Sequence, residues 1–156
     1  MTDLNQVSYE NVVSLIHKST AALDSENFNE FLNLCDIEFH YQITTYSPEI
    51  KKEMVWMDQD YNGIKSIFIM IPDHLRKLGS FLRQVSVGVI NKNHDCLNSI
   101  STFRVFHTDP RGKSTLFVVG RYFDEIIKNE HRGLLLRKRR VHLETRDLGI
   151  GSHIPI

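Results

Sequence analysis

The chain has 156 residues, of which 41% are hydrophobic and 24% charged, and its 19 Lys and Arg residues balance 19 Asp and Glu residues. This composition is typical of one folded domain over residues 1–156. It is too apolar for a disordered chain, and the zero net charge argues against nucleic-acid binding. The apolar run at residues 67–71 is only five residues long, against the roughly 20 that a membrane helix needs, and the first five residues lack a secretory pattern, so we expect a cytoplasmic protein.

Two helices are predicted near the N-terminus. The first, over residues 9–23, has most of its apolar residues on one side. The second begins at Phe28, because residues 28, 31, 32 and 35 are apolar and follow the spacing of one helical face. We expect Asp24 or Ser25 to cap it, so that the two helices form an antiparallel pair with an apolar face still to be covered.

Most of the remaining chain favours β-strands. The predicted strands are residues 37–47, 54–57, 82–90, 98–107, 115–128 and 134–145. A helix is predicted over residues 61–71, ended by Pro72. Helices followed by a run of antiparallel hairpins predict an α+β domain. Because long strands twist, we expect a curved antiparallel sheet that wraps around the N-terminal helices as a hollow cone.

The strand at residues 115–128 predicts an oligomer. Residues 116, 118 and 122 on one side and 117, 119 and 123 on the other are all apolar. A strand that is apolar on both sides has both sides covered. The helices provide one cover, and we expect a second chain to provide the other.

The cysteines and histidines do not form a recognisable metal motif. Cys35 and Cys96 are 61 positions apart and too few for the four ligands of a structural zinc site or an iron–sulfur cluster, so we expect two buried thiols. The eight histidines include no His-x-His or His-x3-His pair. A mononuclear iron site would require His40, Asp58 and His107 to converge inside the cone; dispersed histidines are the simpler expectation.

An acid–base site is the alternative that the early strands leave open. His40, Tyr41, Asp58 and Asp60 could supply a base and a hydrogen-bond donor around a pocket in the cone. A desolvated carboxylate there would have a raised pKa. This interpretation predicts a stand-alone, metal-free isomerase or dehydratase that uses His40, Tyr41 and Asp58. Polar residues that face solvent or close strand ends would explain the same pattern.

A basic run and an apolar tail mark the C-terminal part of the chain. On a strand, Arg137 and Arg139 point to one side and Lys138 and Arg140 to the other, which favours a solvated face or a protein interface over a nucleic-acid patch. The last six residues, Gly-Ser-His-Ile-Pro-Ile, predict a segment that docks on a partner, with packing against its own domain as the alternative.

The chain resembles the small (beta) subunit of Rieske-type aromatic-ring-hydroxylating oxygenases. The resemblance lies in the paired helices and in residues 81–89, 119–124 and 139–145 with the tail that follows. Gly88 stands where the family often has Asn. This departure, with residues 46–50 and the ending, indicates a divergent branch that serves small non-aromatic substrates such as alkanesulfonates.

The resemblance implies a cystatin-like cone, shared with ketosteroid isomerase and scytalone dehydratase, and a non-catalytic structural role. The chain would hold no cofactor, and the large (alpha) subunit would hold the Rieske [2Fe–2S] centre and the mononuclear iron. It would self-associate as a trimer within a hexamer of three large and three small subunits. The expected interface residues are Arg121, Arg137, Arg139, Arg140, His142, Arg146, His153, Ile154 and Ile156.

Overall fold

The computed structural model describes residues 4–73, 77–149 and 155–156. Its α-helices are α1 (Tyr9–Asp24), α2 (Phe28–Asn33) and α3 (Tyr61–Met70), with short 3-10 helices at Leu4–Gln6 and Ile71–Asp73. Its strands are β1 (Cys35–Ser47), β2 (Lys52–Asp60), β3 (Ser80–Lys92), β4 (Leu97–Thr108), β5 (Ser114–Asn129) and β6 (Gly133–Leu143). Each predicted helix and strand is present, and the strands at residues 54–57 and 82–90 are longer than predicted.

The caps of α2 and α3 come from the chain just before each helix. Asn27 caps α2 by accepting a hydrogen bond from the amide of Glu30, so the prediction of Asp24 or Ser25 as its cap is wrong. Ser25 instead ends α1, and Glu26 turns the chain with a φ of 53°. Asp60 caps α3 by accepting a hydrogen bond from a backbone amide in the first turn of the helix. This acid–base candidate therefore has a structural role as a helix cap.

The six strands form one curved sheet in the order β2-β1-β6-β5-β4-β3. Four of the five pairings are antiparallel, as predicted, and the one departure from the prediction is that β1 and β6 are parallel neighbours. The register shifts within each pair of strands, as at Val105/Phe106 in β4–β5 and Glu125/Ile126 in β5–β6. Such bulges bend and twist a sheet, and this one curves around α1, α2 and α3.

The core lies between the helices and the inner face of the sheet. In β4 the residues alternate between buried and exposed over nearly the whole strand, as expected when only one face is covered. Phe31 of α2 meets the rings of Phe39 and Phe68 edge-on, and Phe28 stacks on Phe68. None of the helices in the described ranges is long and apolar enough to cross a membrane.

Close backbone packing at Gly120 yields the first prediction. A Cβ added to Gly120 would lie 2.2 Å from the carbonyl oxygen of His142 and 3.0 Å from the Phe103 ring. Both neighbours belong to the strands that flank β5, so they cannot move apart freely. We expect Gly120→Ala to lower the free energy of unfolding by roughly 1–3 kcal/mol, as overpacked interiors do.

Urea denaturation followed by circular dichroism measures this change. Thr115→Ala, an exposed position near the start of the same strand, is the control and should shift stability by less than about 0.5 kcal/mol. Equal stability of Gly120→Ala and the parent chain would show that the two neighbouring strands yield to the added methyl group.

Candidate functional site

The candidate residues lie on two different faces of the sheet, because successive side chains of a strand point to opposite faces. Tyr41 of β1, Arg139 of β6 and Asp124 of β5 lie side by side on the inner face that the helices cover. One residue away along their strands, His40 and Arg140 lie on the opposite, outer face. Two neighbouring residues of one strand therefore cannot line the same pocket.

The predicted acid–base set is split between these faces. His40 Nε2 contacts Asp58 Oδ1 on the outer face, where Gln42 Nε2 also donates to Asp58 Oδ2 at 2.8 Å. The hydrogen bond from Gln42, and then that from His40, lowers the pKa of Asp58, the opposite of what a desolvated carboxylate would show. The prediction that His40, Tyr41 and Asp58 surround one pocket is wrong, since the hydroxyl of Tyr41 is on the other side of the sheet.

Arg139 is fully buried inside the cone. Its Nε and Nη2 atoms donate to the two carboxylate oxygens of Asp124 at 2.7 and 2.8 Å, and Nη1 donates to Ser19 Oγ of α1 at 3.0 Å. The guanidinium carbon lies 4.2 Å from the centre of the Tyr122 ring, which stacks on Phe103. The prediction that Arg139 forms part of an exposed interface is wrong, because β6 turns this residue inward.

The ionisable groups around this pair keep their protons at neutral pH. Burial alone lowers the pKa of Arg139, but the Asp124 carboxylate more than offsets this, and the pKa is raised. Burial raises the pKa of Tyr41 and of Tyr122. Protonated phenols cannot act as bases. The Tyr41 hydroxyl is hydrogen-bonded to Ile156, whereas the buried Tyr122 hydroxyl has no hydrogen-bond partner among the described residues.

The last two residues pack back onto their own chain. The hydroxyl of Tyr41 accepts a hydrogen bond from Ile156 N at 2.8 Å and donates to Ile156 O at 3.2 Å. Arg83, which is held to Asp24 of α1, donates to Pro155 O at 2.9 Å. Ile156 is therefore part of the core. At this residue the chain packs against its own domain, which is the alternative to docking on a partner, and the prediction of Ile156 as an interface residue is wrong.

The other two interface residues predicted in the tail, His153 and Ile154, lie outside the described residues. The chain is described on both sides of them, up to residue 149 and again at Pro155 and Ile156. Their part in an interface stays a prediction.

The remaining predicted interface residues make ion pairs within the chain. The pairs are Arg121–Glu144 (2.6 Å), Arg137–Glu125 (2.6 Å), Arg140–Glu53 (3.8 Å), His142–Glu53 (2.9 Å) and Arg146–Glu49 (2.8 Å). They link β5 with β6, reach from β6 across β1 to β2, and hold the segment after β6 to β5 and to the turn between β1 and β2. These cations already have carboxylate partners within the chain. A protein that covers this surface would therefore bury existing ion pairs and would not be the source of the carboxylates.

Apolar side chains accompany these charges at the edge of the sheet. Met54, Val55 and Trp56 are exposed on β2, which is an edge strand. Farther in, the guanidinium carbon of Arg140 lies 4.1 Å from the centre of the Phe123 ring and covers part of the outer face of β5. An unpaired edge with exposed apolar residues is a surface suited to association, although the oligomer itself stays a prediction.

The described residues contain no group of three or more His, Cys, Asp or Glu side chains that could hold a metal. His107 is buried beneath the inner face, with Nε2 2.6 Å from Leu78 O, whereas His40 is on the outer face. These two histidines therefore do not converge with Asp58. Cys35 and Cys96 are free and buried, as predicted, and burial raises the pKa of both thiols.

Two curated relatives match nearly the whole chain. One is the beta subunit of 2-aminobenzenesulfonate 2,3-dioxygenase from Alcaligenes sp., 30% identical over 146 residues, which cover 93% of this chain and 97% of the relative. The other is the beta subunit of methanesulfonate monooxygenase hydroxylase from Methylosulfonomonas methylovora, 30% identical, with 93% of this chain and 85% of the relative covered. No protein-family model matches the chain.

Solved structures confirm the predicted α+β cone. The beta subunit assigned to an aromatic-ring-hydroxylating dioxygenase of Novosphingobium aromaticivorans superposes with a TM-score of 0.82 at 15% identity, covering 99% of this chain and all 100% of its own. A protein with a cystatin-like fold from Nostoc punctiforme superposes with a TM-score of 0.68 at 14% identity, covering 92% and 96%. At these identities the likeness concerns the fold.

The buried ion pair yields a stability prediction. We expect Asp124→Ala to lower the free energy of unfolding by roughly 3–5 kcal/mol, because it leaves the Arg139 guanidinium charged without a counter-ion in the core. Glu144→Ala, which breaks the exposed pair with Arg121, should cost less than about 1 kcal/mol. Urea denaturation of the parent chain and of the two variants measures both changes in the free energy of unfolding.

A second variant separates loss of charge from loss of packing. The double variant Asp124→Leu with Arg139→Met should recover part of the stability that Asp124→Ala loses, since it leaves no buried charge. If Asp124→Ala lowered the free energy of unfolding by no more than Glu144→Ala does, this would show that water reaches the Arg139 guanidinium and that the interior is not closed to solvent.

The pair of Glu49 and Arg146 yields a pH prediction. The hydrogen bond from Arg146, with those from its own amide and Ser47, lowers the pKa of Glu49 from 4.5 to about 2. Because the folded chain has the lower pKa, the pair stabilises the fold above about pH 4.5, and this contribution is lost as the pH falls towards 2. We expect Arg146→Gln to raise the pKa of Glu49 towards its ordinary value.

Carbon-detected NMR titration of the Glu49 carboxyl measures this pKa directly. Arg111→Gln, on the exposed turn between β4 and β5, is the control and should leave the titration unchanged. An unchanged Glu49 pKa in Arg146→Gln would show that solvent screens the exposed pair.

Proposed function

The chain belongs to the family of beta subunits of multicomponent oxygenases, and we propose that it is the non-catalytic structural subunit of a cytoplasmic Rieske non-haem iron oxygenase. Its partner is the large subunit, which holds the [2Fe–2S] centre and the mononuclear iron. The observation that carries the proposal is the match to two beta subunits over 93% of the chain.

The geometry supports a structural role in two ways. Inside the cone, where a cone-fold enzyme would need its base and its pocket, the space between helix and sheet contains the Arg139–Asp124 pair and the Tyr122 ring. On the outside, the β2 edge is exposed and the ion-paired face of β1, β5 and β6 is exposed or half-buried. Part of the interior is therefore filled by the ion pair and the aromatic ring, and the outer face offers a surface for association.

The association surface that we propose combines the outer charged residues with the exposed apolar edge. It comprises Met54, Val55, Trp56, Arg121, Arg137, Arg140, His142 and Arg146. It would contact both other copies of this chain and the large subunit, in a hexamer of three large and three small subunits. Ion pairs already formed within the chain hold these long side chains in place, which reduces the entropy lost on binding.

The substrate that we propose for the complex is a sulfonate. The two relatives belong to a dioxygenase of 2-aminobenzenesulfonate and a monooxygenase of methanesulfonate, one aromatic and one aliphatic substrate that share the sulfonate group. Both hydroxylation by one oxygen atom and dihydroxylation by two are compatible with this class.

Co-expression with the large subunit tests the assembly. We expect an affinity tag on this chain to retain the untagged large subunit and its iron, and the complex to have the mass of three copies of each chain. Trp56→Glu should reduce the retained large subunit or dissociate the hexamer, because it places a carboxylate in an apolar contact. Lys113→Glu, on the exposed turn between β4 and β5, is the matched control.

Two results would contradict this assignment. The first is a monomeric parent chain that retains no large subunit, and the second is stoichiometric iron bound by this chain when it is purified alone. Removal of the tail is a poor test, because loss of Pro155 and Ile156 also removes the hydrogen bonds to Tyr41 and Arg83 and so affects folding. Circular dichroism of each variant before the pull-down separates the two effects.

Oxygen uptake by the purified complex tests the substrate class. With an electron donor supplied, uptake should be stimulated by 2-aminobenzenesulfonate or by methanesulfonate and not by the corresponding carboxylates. Stimulation by 2-aminobenzoate or acetate in place of the sulfonates would contradict the proposed substrate.

A further inference from the structure

A cleft of about 410 Å³ opens between α1 and the hairpin that joins β5 to β6. Its apolar lining adjoins the core, since Leu15 belongs to the core and Leu34 and Leu134 pack against it. Its volume falls within the range of small-molecule sites, roughly 300–1,000 Å³. It plays no part in the proposed subunit contacts.

One wall of the cleft is a single face of α1. Asn11, Ser14, Leu15 and Lys18 all line it, and their spacing along the helix places them above one another on one side. Leu15 is buried at the base of this wall, whereas the other three side chains are exposed. The wall thus combines an apolar base with polar groups at the rim.

The opposite wall contributes two further cations and an apolar surface. Lys128 and Arg132 line the cleft from the β5–β6 hairpin, together with Leu134. Arg132 Nη2 donates to Asn33 O at 2.7 Å and to Cys35 O at 3.4 Å, which holds the guanidinium near the end of α2 and leaves the N–H groups of Nε and Nη1 to face a ligand. The position of this charge is therefore set by the fold.

The cleft is positively charged although the chain is neutral overall. Lys18, Lys128 and Arg132 line it, and no Asp or Glu does so among residues 4–73, 77–149 and 155–156. Within the same ranges, neither Lys18 nor Arg132 forms an ion pair with a carboxylate. On the outer face, by contrast, the predicted interface arginines each have a carboxylate partner.

We propose that this cleft binds a small organic anion that carries one sulfonate or carboxylate group on an apolar body. Lys18 and Arg132 would bind the anionic group from the two walls, and Leu15 and Leu134 would contact the apolar part. Guanidinium groups suit such planar or tripodal oxygen acceptors. An inorganic anion would use only the charge of the site, and a neutral aromatic molecule only its apolar base.

Isothermal titration of the full-length chain at low salt tests the proposal with three probes. Benzenesulfonate should bind saturably at roughly millimolar concentration, whereas sodium sulfate and benzyl alcohol should each bind more weakly. Lys18→Gln and Arg132→Gln should each weaken benzenesulfonate binding about two- to fivefold, the size expected for a partly exposed ion pair. Higher ionic strength should weaken it further.

Two controls keep this test specific. Lys113→Gln removes an exposed cation that does not line the cleft and should leave the affinity unchanged. Arg132→Lys keeps the positive charge and should recover part of the affinity, whereas a variant that fails to fold would show an altered circular dichroism spectrum. Because the titration uses the chain alone, its result does not depend on assembly with the large subunit.

Two outcomes would overturn the proposal. The first is the absence of saturable benzenesulfonate binding. The second is a loss of affinity in Lys113→Gln as large as that in Lys18→Gln and Arg132→Gln, which would show binding to general surface charge.

Discussion

The salt bridge between Arg139 and Asp124 is the interaction on which the architecture depends. It joins the two central strands β5 and β6 from the inside, and one further N–H of the guanidinium donates to Ser19 of α1, so one guanidinium links the sheet to the helix that covers it. Taking two charges out of water costs several kcal/mol each unless their geometry and remaining hydrogen bonds are good. Both side chains are fully buried and the pair is bidentate, which meets that condition.

The same pair occupies part of the inner face of the cone. A cone can serve as a catalytic pocket only if its inner face offers space and a group that exchanges protons near neutral pH. Here the charge of Arg139 is balanced by Asp124, and the Tyr122 ring occupies the space between the guanidinium and Phe103. The fold alone does not determine a function, so the role of this chain is argued from its relatives and from the contents of its site.

The outer surface shows how one neutral chain can hold two kinds of charged region. On the sheet, cations lie close to carboxylates of other strands, as in the contacts that Arg140 and His142 of β6 make across β1 with Glu53 of β2. Between α1 and the β5–β6 hairpin, cations line a cleft without carboxylates among the described residues. Overall charge balance therefore conceals a local excess, and only the local arrangement indicates which region suits a protein partner and which suits an anion.

The sequence by itself determined the order and type of the helices and strands, because apolar periodicity and turn residues act over a few neighbouring positions. It also predicted the family, since residues 81–89, 119–124 and 139–145 resemble its members.

The sequence could not assign each side chain to the inner or the outer face of the sheet. His40 and Tyr41 are adjacent in the chain but on opposite sides of the sheet. The pairing of β5 with β6 shifts in register at Glu125/Ile126, so the regular alternation of side chains that places Arg139 on the inner face does not extend back to Arg137. Such choices were decided only by the tertiary structure, because the parallel pairing of β1 with β6 and the cover over each face depend on contacts between residues about a hundred positions apart.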